Sequence, residues 1–178
     1  MTENRDYADL DETTAPEEIR PVLAATRAQF GFLPSAMARI AAAPILARAF
    51  QRGLAEFDRT SFSPLEREVG VLALAHLIGC EVCVALHSGV LRRMDQAAIA
   101  RQMGDGQPLE DGRLQALAAF TRALFETRGD VNREVFGAFL AAGFTRAQSL
   151  ELLVGVGTYV MSTFANRLTQ ASVDPQLA

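Results

Sequence analysis

Lysine is absent: all 17 basic residues of this 178-residue chain are arginine. Without lysine no Schiff base can form, which excludes pyridoxal phosphate chemistry and class I aldolase chemistry. A Walker phosphate loop is excluded for the same reason. Soft and near-neutral titrating groups are scarce, with two histidines and two cysteines in all. Acid–base or nucleophilic chemistry near neutral pH therefore has few residues to draw on. Long apolar runs are missing too. The charge-free stretch Leu152 to Ala165 has 14 residues, short of the ~20 that a membrane helix needs. Nor is there an excess of positive charge: the net charge of −4 argues against nucleic acid as a partner. The first residues, Met1 to Thr14, are acidic and do not read as a signal peptide. Together these absences predict a soluble, cytoplasmic protein that binds neither nucleic acid nor membrane.

What is present points to helix. Hydrophobic residues make up 49% and charged ones 21%, so the chain is neither disordered nor fibrous. Its length suits one domain with a sizeable core. Alanine supplies 30 residues, and no alternation of β-branched residues runs long enough for a strand. The pattern predicts an all-α, single-domain helical bundle over 16–170. A flexible N-terminal tail is expected over 1–15 and a C-terminal tail over 171–178. Ser63-Pro64-Leu65-Glu66 and Thr145-Arg146-Ala147-Gln148 read as capping boxes opening helices. The segment Leu152 to Met161 is apolar nearly all round, so it needs cover on more than one side. Part of that cover is expected from another subunit, predicting a homo-oligomer.

The chemistry concentrates between Glu68 and His87. The only two cysteines fall as Cys80-x-x-Cys83, a separation that chance placement would produce in roughly 1% of chains this long. In a reducing compartment such a pair is catalytic, redox-active or metal-binding more often than structural. Residues i and i+3 on a helix lie about 5 Å apart, within disulfide range. The bridge would close a very short loop and add little stability, which suits redox cycling. His87, four residues after Cys83, can take a thiol proton and stabilise the thiolate. If Gly79 ends one helix, the cysteines occupy the first turn of the next, where the dipole lowers a thiol pKa further.

Glu68 enters by geometry. On one straight helix it would lie about 28 Å from His87. If the chain folds back near Gly79, the axial offset shrinks to ~4.5 Å across helices packed ~8–10 Å apart. A relay from Glu68 through His87 to a cysteine thiol then becomes possible. Other readings of the same residues are inert core cysteines, a Glu68 that is simply a surface acid, and a zinc site using His76, Cys80, Cys83 and His87. On a continuous helix, however, His76 and His87 are about 16 Å apart, and the spacing is not that of a structural zinc site.

Glu-x11-Cys-x2-Cys-x3-His, at Glu68, Cys80, Cys83 and His87, resembles the active-site signature of the alkylhydroperoxidase D-like branch of the carboxymuconolactone decarboxylase superfamily. Gly31-Phe32-Leu33-Pro34 with Ala43-Pro44, and Ala142 to Gln148, look like its upstream and downstream helical segments. The resemblance spans roughly residues 16–168. It implies an all-helical, commonly oligomeric peroxidase in which one cysteine is oxidised by peroxide to a sulfenic acid. The second cysteine closes a disulfide, and a thiol reductant or redox-protein electron donor reopens it. No metal, flavin or haem takes part. The position before the second cysteine, often histidine in alkylhydroperoxidase D, is Val82. The superfamily's decarboxylase lacks the cysteine pair. His87 one turn away favours Cys83 as the peroxide-reactive thiol and Cys80 as the resolving one; Cys80, nearer the expected helix start as in thioredoxin-like pairs, is the alternative attacking thiol. A non-enzymatic redox sensor or an oligomeric binding protein is the other class of function compatible with these residues.

Overall fold

The computed structural model describes residues 7–177. After a single 3-10 turn at Glu17–Ile19 come nine α-helices among the described residues, and no strand. They are α1 (Arg20–Phe30), α2 (Ser35–Ile40), α3 (Pro44–Asp58), α4 (Pro64–Ile78), α5 (Glu81–Arg93), α6 (Ala97–Gly104), α7 (Gly112–Glu126), α8 (Arg133–Ala141) and α9 (Arg146–Thr169).

α4 is the axis of the bundle. Every residue from Val69 to Ala75 is buried, so this helix needs neighbours on all sides. It finds them in α5, α6, α7 and α9. Both capping boxes form: Ser63 and Glu66 bond reciprocally at the start of α4, and Thr145 and Gln148 do so at the start of α9. Glu66 does a second job. Its other oxygen accepts from Arg113 on α7 at 2.7 Å, while Arg113 also donates to the Ala142 carbonyl and lies over the Phe144 ring. One carboxylate thus ties the start of α4 to α7 and to the α8–α9 junction.

α9 is the second long organiser, packed on α2, α3 and α4. It approaches α3 closely at Gly155, where an added Cβ would come within 2.5 Å of the Phe57 ring. Its outer side remains uncovered. Leu150, Val154, Gly157 and Phe164 are exposed, Met161 is half-buried, and Leu168 is exposed. Their spacing, 4-3-4-3-4, is that of a coiled-coil seam. An apolar groove of about 670 Å³ runs beside it, bordered by Ile40, Leu46, Phe164 and Leu168.

Of the tail expected over 1–15, residues 1–6 lie outside the described residues, and residues 7–15 make contacts with the bundle. Leu10 donates its N–H to the Ala38 carbonyl, and Asp11 folds a turn by accepting from the N–H groups of Thr13 and Thr14. Glu12 pairs with Arg27, Asp9 with Arg39, and Ala15 is buried. These partners are 15 to 30 positions away, so the local pattern carried no trace of them. In the 171–178 tail, Asp174 accepts from the Ser35 N–H at 3.1 Å and Leu177 is buried.

Because Gly155 meets an aromatic ring rather than a flexible side chain, Gly155→Ala is expected to cost about 1–3 kcal/mol of stability. The measurement is urea unfolding, with a lowered midpoint at unchanged slope.

Candidate functional site

α4 and α5 form a helical hairpin whose turn is two residues long. Gly79 ends α4 in the left-handed conformation, φ 72° and ψ 41°. Glycine reaches that region without the Cβ penalty other residues carry. The next N–H groups return to α4: Gly79 donates to the His76 carbonyl and Cys80 to that of Ala75. Cys80 is then extended, and it is the N-cap of α5 rather than a first-turn residue. Its Sγ accepts from the Cys83 N–H at 3.3 Å, the bond that serine or asparagine usually supplies at this position. Cys83 is the third residue of α5, inside the turn where free N–H groups and the dipole favour negative charge.

The cysteines are joined as a disulfide, with Cα atoms 5.3 Å apart. Both are buried, in a cluster with Ala75 and Val82. On the far side of the hairpin, Glu68 Oε2 lies 2.8 Å from His87 Nδ1. The back-folding expected from the sequence therefore brings Glu68 into direct contact with His87. With the carboxylate ionised, Nδ1 is the protonated nitrogen, which leaves the Nε2 lone pair free to take a proton. The imidazole also packs nearly perpendicular to the Tyr159 ring, with centroids 5.1 Å apart.

Cys83, His87 and Glu68 open into one pocket of about 380 Å³. Met37, Phe50, Leu54 and Leu86 give it apolar walls, and the exposed side chains of Gln29, Asp58 and Arg93 contribute to its lining. Cys80 does not line this pocket. It lines a shallower hollow with Gly79, Glu81, Val82, Arg167 and Gln170. The two cysteines thus line different cavities, Cys83 the larger pocket and Cys80 the hollow.

His76 is separate from this arrangement. It is half-buried, lines a different hollow with Ser88 and Arg92, and its Nε2 is buried without a hydrogen-bond partner. Among the described residues, no group of three His, Cys, Asp or Glu side chains is placed to hold a metal ion. No helix among them is long and apolar enough to cross a membrane.

Two residues that the sequence reading did not single out are part of the site, Tyr159 and Asn166, both on α9. Asn166 Nδ2 lies 3.4 Å from Cys83 Sγ and 3.9 Å from Cys80 Sγ. The only local signal was an asparagine inside a helix, where its side chain competes with the backbone and weakens the helix.

No protein-family model and no curated protein matches this sequence. Solved structures do match its fold. The alkylhydroperoxidase AhpD core of an uncharacterized peroxidase-related protein from Ralstonia eutropha JMP134 superposes with a TM-score of 0.84 at 20% identity, over 96% of this chain and 93% of that one. An uncharacterized peroxidase-related protein from Silicibacter sp. TM1040 gives 0.79 at 15% identity, over 97% and 94%. A variant of the debrominase Bmp8, in complex with 2,3,4-tribromopyrrole, gives 0.79 at 17% identity, over 98% and 94%. The chain has the alkylhydroperoxidase D-like fold.

His76 yields a pH prediction. Burial first, then the charge of Arg122, holds its pKa below the usual histidine range. As pH falls through about 6.5, the unfolded chain takes up a proton that the folded protein resists. Stability should therefore decline below that pH, and His76→Gln should lessen the decline. Urea midpoints of both proteins at about pH 5.5 and 7.5 test this.

Proposed function

We propose that this protein is a cysteine-dependent peroxidase that cycles between a Cys80/Cys83 dithiol and the disulfide. One observation carries the reading: Cys83, His87 and Glu68 share a pocket, with the imidazole held through Nδ1 by the carboxylate. His87 Nε2 takes the Cys83 thiol proton. The thiolate attacks the nearer peroxide oxygen, the O–O bond breaks, and Cys83 becomes a sulfenic acid. The departing alkoxide or hydroxide takes the proton from the imidazolium and leaves as alcohol or water. Glu68 keeps the ring oriented and stabilises its charge. The Cys80 thiolate then attacks the Cys83 sulfur, expelling hydroxide that leaves as water and forming the disulfide. An external dithiol, or two thiols, supplies the two electrons that restore the starting state.

A second substrate class has one supporting observation, the fold shared with a debrominase crystallised with a brominated pyrrole. The pocket's apolar walls would suit a halogenated ring as well as the organic part of a hydroperoxide. Turnover of an organic hydroperoxide with dithiothreitol, run beside a bromopyrrole, separates the two. A single stoichiometric oxidation without turnover would instead indicate a redox sensor.

In the peroxide assay, Cys83→Ser should be inactive and Cys80→Ser should stall after one oxidation. His87→Ala should lose about 10²–10⁴-fold, and Glu68→Gln less. Their combination should cost less than the product of the single losses, because both serve one proton path. Single losses within about twofold of wild type would overturn the relay.

The working form is proposed to be a homo-oligomer, in which the exposed seam of α9 meets the same seam of a second copy. A run of apolar residues at alternating three- and four-residue spacing is complementary to itself. Light scattering at micromolar concentration should return an oligomer, and Phe164→Glu with Leu168→Glu should shift it to monomer. A wild-type monomer would overturn this.

A further inference from the structure

We propose that Asn166 is the donor that stabilises the reactive thiolate, a positioning residue acting on both sulfurs of the pair. Its amide nitrogen carries two hydrogens and stands within bonding reach of both, 3.4 Å from Cys83 Sγ and 3.9 Å from Cys80 Sγ. A disulfide sulfur has no hydrogen to give, so only the Nδ2 side of the amide can bond there. Asn166 is buried, 5% exposed, so these bonds form away from competing water.

The backbone that carries the amide is also held in place. Its own backbone carbonyl accepts from the Ala171 N–H. The neighbouring Arg167 donates to the carbonyl of Gly79, the residue at the hairpin turn. Beyond α9 the chain is fastened by Ser35, which donates to the Ser172 carbonyl and to Asp174. The end of α9 is therefore fixed against the hairpin that carries the cysteines. Asn166 lines both the Cys83 pocket and the Cys80 hollow, so it sits between the two openings.

A neutral disulfide sulfur is a weak acceptor, whereas a thiolate makes a charge-assisted bond of roughly twice the strength. The amide thus favours the ionised form in each half of the cycle. Before peroxide arrives it lowers the cost of ionising Cys83. During reduction, the incoming thiolate bonds to one sulfur of the pair and the S–S bond breaks. The other sulfur leaves as a thiolate within reach of the same amide. The charged and titratable groups around the pair are His87 on α5, Glu68 on α4, and Arg167 and Tyr159 on α9, with Glu81, Asp58 and Arg93 lining the two openings. Substituting Asn166 alters none of them.

The inference rests on Cys83 being the reactive thiol, and its test does not depend on peroxide turnover. In a Cys80→Ser background, thiolate absorbance and iodoacetamide alkylation against pH read Cys83 alone. Asn166→Ala is expected to raise the ionisation midpoint by about one pH unit, the size of one lost charge-assisted bond. Asn166→Asp preserves shape but places a carboxylate against the thiolate, and should raise it further. If both midpoints stay within about 0.2 units of the parent, with folding intact by circular dichroism, the role is wrong. Raised midpoints in a protein without peroxidase turnover would uphold Asn166 and overturn the proposed function instead. Peroxidase turnover with unmoved midpoints would do the reverse.

Discussion

The reversal of direction at Gly79 is the constraint on which the rest of the site depends. Two residues carry the chain from α4 into α5, and the first must adopt a left-handed backbone. An added Cβ would meet the end of the Arg167 side chain at 3.2 Å, so it is the left-handed backbone rather than space that calls for glycine. A longer or wider turn would separate the helices and break the contact between Glu68 and His87. A tight one sets Glu68, eleven residues before the turn, against His87, eight after it. It also leaves Cys80 as the helix cap. A sulfur thereby takes the place of an oxygen in an ordinary capping bond, and the second cysteine lies in the first turn of α5.

The hairpin does not hold this geometry alone. α4 is buried along its middle, which leaves its position no freedom once α7 and α9 are packed. Glu66 extends the same constraint to its first turn. Burial by itself pushes the Glu66 carboxyl up, but the Ser63 and Arg113 hydrogen bonds outweigh it and bring the net shift down. Ionised Glu66 is therefore favoured in the folded protein even though it is mostly buried. α9 closes the other side by presenting Tyr159 to His87, Asn166 to the sulfurs and Arg167 to the turn. Side chains of α9 thus reach the hairpin across more than 70 positions of chain.

Cys83 lines the pocket that Glu68 and His87 share, and Cys80 lines a separate hollow. The pocket walls are largely apolar, which strengthens hydrogen bonds and charges inside them. The uncovered apolar seam of α9 lies along the outside of the same helix whose inner side carries Tyr159 and Asn166.

Much of this was legible in the linear chain. The helices were readable from alanine content, periodicity and two capping boxes, because those are local preferences of three to four residues. The four residues Glu68, Cys80, Cys83 and His87 stood out by type and spacing, and a glycine between them suggested the turn. What the sequence by itself determined was therefore the class of fold and the shortlist of chemical groups. Only tertiary structure decided that Glu68 touches His87, that the two cysteines line different cavities, and that Asn166 reaches both sulfurs. It also decided that residues 7–15 pack onto α1 and α2. The physical reason is common to all of these. They are contacts between side chains separated by 15 to 86 positions, set by how helices pack, and neither helix propensity nor local spacing carries that information.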